Sequence, residues 1–81
     1  MHADSLVRMV NQIGTFFEAM PDRAAALEEM AQHIRRFWEP RMRQQLMVHV
    51  DQGGEGLGLM AQEALLRHGE SLRPPASVTG P

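Results

Sequence analysis

Leu6, Met9, Val10, Ile13, Phe16, Phe17 and Met20 recur at spacings of three and four. On an α-helix that spacing gathers them into one stripe about a third of the circumference wide. Arg8, Gln12, Thr15 and Glu18 fall on the other side. The pattern predicts a first helix over 5–19, with Asp4-Ser5 as its N-cap. Gly14 inside it costs up to ~1 kcal/mol relative to alanine, and its preferred reading is close helix–helix approach. Met20-Pro21-Asp22 breaks the pattern: Pro21 disfavours continuation and Asp22 is a good N-cap. A second helix is predicted over 23–37, with Leu27, Met30, Ala31, Ile34, Phe37 and Trp38 as its buried stripe.

The corner Phe37-Trp38-Glu39-Pro40 follows. Pro40 has no backbone N–H and pushes Glu39 out of helical geometry, so it suits the first turn of a third helix over 40–51. Phe37, Trp38 and Pro40 are therefore expected to be structural, with Trp38 pinning both helices to the core. Met42, Leu46 and Val50 share the inner face of the third helix. Gly53-Gly54-Glu55-Gly56 reads as a loop. A fourth helix is expected over 57–68, with Leu57, Met60, Ala61, Ala64 and Leu65 inward and Gly69 as its C-terminal stop. The fold class is all-α: one domain, 1–69, built as a compact array of about four short helices. Residues 70–81 read as a flexible Pro-rich tail.

Composition narrows the function. About 70 folding residues support a core of only a few kcal/mol, and a partner is a common source of added stability at this size. There is no cysteine, so disulfides and thiolate metal sites are excluded. The net charge of −2 gives no general attraction to nucleic acid or anionic membrane. No apolar run is long enough to span a bilayer, and the N-terminus has no signal-peptide pattern. The expectation is a cytoplasmic protein with no membrane contact.

No catalytic constellation emerges. His2, His33, His49 and His68 are never paired at helical ligand spacing, and Glu29 with His33 is too small a set for a metal. Glu28 and Glu29 are adjacent and point apart on a helix. The glycine loop lacks the strand and the Gly-Lys-Ser/Thr of a phosphate-binding loop. Catalytic, cofactor-binding and metal residues are therefore all expected to be none. Arg35, Arg36, Arg41 and Arg43 around Glu39 make a basic corner. Such a patch serves a helical adaptor or a nucleic-acid-associated regulator, but no docking motif accompanies it. Helical placement leaves Met47, Val48, Leu59 and Leu66 off the inner faces. With Arg41 and Arg43 at the rim they form the expected partner-binding surface, the equal alternative being a crossed packing that buries both faces of the fourth helix.

Several stretches together resemble a known family. They are Val7-Arg8-Met9-Val10-Asn11-Gln12-Ile13-Gly14, Phe16-Phe17-Glu18, Met20-Pro21-Asp22 and the run from His33 to Arg43 containing Phe-Trp-Glu-Pro-Arg-Met. Val50-Asp51, the glycine loop and Glu63-Ala64-Leu65-Leu66-Arg67-His68 fit as well. Over roughly Asp4 to His68 the chain resembles the delta subunit of NAD-dependent, molybdenum- or tungsten-containing formate dehydrogenase. The resemblance implies a non-catalytic accessory subunit that supports assembly or stability of the holoenzyme by protein–protein docking. Its partners would be the other formate dehydrogenase subunits, first among them the catalytic alpha subunit. Molybdopterin, iron–sulfur clusters, FMN and NAD would reside in those partners, consistent with a chain that has no thiolate to offer a cluster. The competing reading is a free-standing adaptor or regulator acting through the arginine corner. Whether the isolated chain self-associates is left open by the sequence.

Overall fold

The computed structural model describes residues 2–74. Helices α1 (Ala3–Glu18), α2 (Arg23–Phe37), α3 (Pro40–Asp51) and α4 (Leu59–Arg67) are followed by a single helical turn, α5 (Gly69–Leu72). No strand occurs among the described residues. The all-α expectation holds, and the breaks fall where local chemistry puts them. Asp22 caps α2 by accepting from the Ala25 amide at 3.2 Å. Pro40 occupies the first turn of α3, with Glu39 extended before it.

The core joins all five helices. Leu6, Val10 and Phe17 of α1 meet Leu27, Met30 and Ile34 of α2, Leu46 and Met47 of α3, Met60 and Leu65 of α4, and Leu72 of α5. Trp38 is 6% exposed. It is the C-cap of α2, in extended conformation, so the chain turns there and the ring closes the end of the core. Gly14 lies against α4: a β-carbon there would sit 3.4 Å from Met60 Cβ.

Several expectations are corrected. The first helix begins at Ala3 with His2 as its cap, not at Asp4-Ser5. Asp4 instead sits in the first turn, where its charge suits the helix dipole. Phe16 and Phe37, both placed on buried stripes, are 73% and 66% exposed. In α1 the buried arc runs through Leu6, Val10, Gly14 and Phe17, so it is rotated toward Gly14 and leaves Phe16 outside. At the end of α2 the core takes Trp38, and Phe37 is left on the flank. Met47, expected on an outer face, is buried and packs toward Gly69.

The fourth helix starts at Leu59 rather than Leu57 because Asn11 of α1 holds the preceding loop open. Its Nδ2 donates to the Gly56 carbonyl at 3.0 Å and its Oδ1 accepts from the Gly58 amide at 2.8 Å. Leu57 is half-buried against the core from within that loop. Gly53, Gly54 and Gly56 take positive φ, which makes the turn out of α3 possible without strain. Gly69 does not take the left-handed conformation of a stop. It opens α5, and Met47 Cε lies 3.0 Å from where its β-carbon would be. The packed unit therefore runs through Leu72, past the expected boundary at 69. The remainder of the expected Pro-rich tail, 75–81, lies outside the described residues.

Candidate docking surface

Two pairs of neighbouring large aromatics, Phe16-Phe17 and Phe37-Trp38, each send one ring inward and one outward. Adjacent helical positions are about 100° apart, which sets Phe16 and Phe17 on different flanks of α1, and at the end of α2 the chain leaves the helix at Trp38, which turns its ring away from that of Phe37. The two outward rings are linked through Phe17 and His33. Phe16 meets Phe17 edge-on with centroids 5.1 Å apart, Phe17 meets His33 at 6.0 Å, and His33 meets Phe37 at 4.8 Å. The result is an aromatic ridge running across α1 and α2.

Grooves lie on either side of this ridge. One, about 540 Å³, is mostly apolar and is lined by Met9, Ile13, Phe16, Phe17, His33 and Trp38, with Gln12 at its edge. The other, about 880 Å³, runs along the outer face of α2 past Ala25, Glu28, Glu29, Gln32, Arg35 and Arg36 to Phe37. Open apolar surface beside charged side chains is the composition of a protein-contact patch, with an aromatic centre and a polar rim.

The residues expected to form the docking surface are dispersed. Val48 is exposed, but the groove beside it is lined by Ala3 of α1 and by Gln44, Gln45, His49 and Gln52 of its own helix, with no residue of α4. Leu59 and Leu66 are 79% and 73% exposed on α4. Met47 is in the core. Arg43 is half-buried, and its Nη1 donates to the Leu72 carbonyl at 3.3 Å, tying α3 to α5. Arg41 is exposed, as are Arg35 and Arg36, and none of the three forms an ion pair among the described residues. The basic corner thus has three free cations and one structural one. Helical spacing does not anticipate the ridge: it puts Phe16, Phe17, Phe37 and Trp38 all on buried stripes.

The other charges do local work. Arg23 grips Glu63 at 2.6 Å, joining α2 to α4, and this hydrogen bond holds the Glu63 carboxyl below its ordinary pKa. Arg73 meets both carboxylate oxygens of Asp51, at 2.7 and 3.0 Å, and holds that carboxyl low as well. His49 Nε2 donates to the Glu55 carbonyl at 2.8 Å and closes the glycine loop on α3. No cluster of three or more potential metal ligands occurs among the described residues, and no described helix is long and apolar enough to cross a membrane.

What the fold and surface define is a small all-α domain with an open aromatic face and no assembled ligand set among the described residues. The chain belongs to the family described as NADH-dependant formate dehydrogenase delta subunit FdsD, which it matches over residues 5–65. That span contains both exposed phenylalanines, the Asn11 clamp, and the helices from Ser5 of α1 to Leu65 of α4. No curated protein and no solved structure matches the chain.

Proposed function

We propose that the chain is a non-catalytic, cytoplasmic accessory subunit of an NAD-dependent formate dehydrogenase. It docks on the other subunits, the catalytic alpha subunit foremost, and supports assembly or stability of the formate-oxidising complex. The family match supports the complex. The observation that carries the docking role is the exposure of two of the three phenylalanines on one ridge. Burying a phenylalanine is worth roughly 1.5–3 kcal/mol, and a marginal domain that leaves two outside gains most by covering them. The exposed Leu59 and Leu66 on α4 offer a second, smaller contact. In this reading molybdopterin, clusters, FMN and NAD belong to the partner subunits, and this chain supplies surface only.

Co-expression with affinity-tagged formate dehydrogenase subunits tests the reading. The chain should co-purify with the catalytic subunit. Omitting it should lower the yield or lifetime of assembled complex while leaving turnover per assembled active site unchanged. Assembly to the same yield and lifetime without it overturns the proposal.

A further inference from the structure

The outer face of α2 has a charge order that makes it complementary to itself. Glu28 and Arg35 stand seven residues apart along one edge, and Glu29 and Arg36 seven apart along the other, with Gln32 between them. All four charged side chains are exposed, and none is in an ion pair among the described residues. Within the helix they are too far apart to pair, since helical partners lie three or four positions away. The acidic half precedes the basic half, and Phe37 stands exposed at the basic end while the small Ala24 and Ala25 occupy the acidic end.

We infer that this face binds a second copy of the chain, with the two α2 helices antiparallel about a two-fold axis near Gln32. A two-fold contact brings the same patch from both copies together and keeps each edge beside its own counterpart. Glu28 then faces Arg35 of the other copy and Glu29 faces Arg36. Parallel packing would set like charges together and is disfavoured. The arginines of the last turn also suit the helix dipole, but that effect fades within a turn. It does not account for Glu28 and Glu29, which lie beyond the first turn. One helix face is smaller than the roughly 800 Å² per partner of a standard interface, so the dimer is weak and sensitive to salt. The contact fills the groove of α2 that Phe37 borders, and in the docking reading proposed above it competes with a partner subunit on that flank of the ridge.

Sedimentation equilibrium of the purified full chain tests this without any other subunit. The 9.1 kDa chain should pass from monomer to dimer as its concentration rises toward the millimolar range, and added salt should reverse the change. Glu28→Arg with Glu29→Arg should weaken the dimer at least about tenfold, as should Arg35→Glu with Arg36→Glu. An equimolar mixture of those two double variants should form a heterodimer. The quadruple charge swap, which restores opposite charges across the axis, should again self-associate like the parent chain. Circular dichroism should show every variant folded, because all four side chains are exposed. A parent chain that stays monomeric throughout overturns the inference, as do reversals that dimerise as well as the parent or a mixture that does not associate. None of these results depends on whether the chain docks on formate dehydrogenase, which is read separately by co-purification.

Discussion

Asn11 reaches across 47 positions of sequence to accept the Gly58 amide at 2.8 Å, while its Nδ2 donates to the Gly56 carbonyl. One side chain on α1 thereby fixes both the exit of the glycine loop and the start of α4. Three residues on, Gly14 meets Met60 of α4. The Asn-Gln-Ile-Gly segment of the family resemblance is thus the part of α1 that receives α4 and its loop.

Replacing Asn11 with alanine should remove both hydrogen bonds and cost about 1–3 kcal/mol, at roughly 0.5–1.5 kcal/mol each. Urea unfolding gives the loss. Amide exchange should accelerate at Gly58 more than in the centre of α2. Equal acceleration at both places would mean that Asn11 acts on the whole fold rather than on the loop.

Trp38→Ala should be the most damaging single truncation. The ring is buried where α2 ends and α3 begins, and such truncations cost about 3–5 kcal/mol, close to the whole stability of a domain this small. Trp38 is also the sole tryptophan. The parent chain should therefore show blue-shifted fluorescence that moves to the value of free indole in a single unfolding transition.

Gly14→Ala should stabilise. The added methyl would stand 3.4 Å from Met60 Cβ and 3.5 Å from Met30 Cε, in contact without collision. Alanine also gains up to ~1 kcal/mol of helix propensity. Gly14→Leu, by contrast, must push α4 away and should destabilise by about 1–3 kcal/mol. Thermal unfolding of the pair reads both signs.

Acid should loosen the α3–α5 tie first at its carboxylate. The Arg73 hydrogen bond depresses the folded pKa of Asp51 below its unfolded value. The contribution of the pair is therefore present above the ordinary aspartate range and is lost as pH falls through the depressed value. An NMR titration should place the Asp51 midpoint below that of an ordinary aspartate, and Arg73→Gln should bring it back up. Both groups are solvent-exposed, so the effect on global stability should be small.

Much of the fold was legible because its signals are local. Helical spacing, the Asp22 cap and Pro40 gave α2 and α3 their ends, and Gly14 signalled the approach of another helix. What failed depended on tertiary geometry. Which of Phe16 and Phe17 turns inward follows from how α1 rolls against α4, and nothing in the spacing of α1 contains that rotation. Met47 is buried only because α5 returns beside it, and a four-residue turn has no periodicity to read. Arg43, expected at the rim, is held by a carbonyl 29 positions away. Helix faces taken singly place Val48, Leu59 and Leu66 outside but do not show which of them lie side by side. The ridge across α1 and α2 arises only when the two helices are set side by side.

The most direct test of the docking role is co-purification of a Phe16→Gln, Phe37→Gln double variant with tagged formate dehydrogenase subunits, beside the parent chain and a Leu59→Glu, Leu66→Glu variant. Both phenylalanines are exposed, so the double variant should keep its helicity and lose less than about 1 kcal/mol of stability. It should nevertheless fail to co-purify, while the leucine variant is retained at least in part. A folded Phe16→Gln, Phe37→Gln variant that co-purifies as well as the parent would contradict the aromatic ridge as the docking surface.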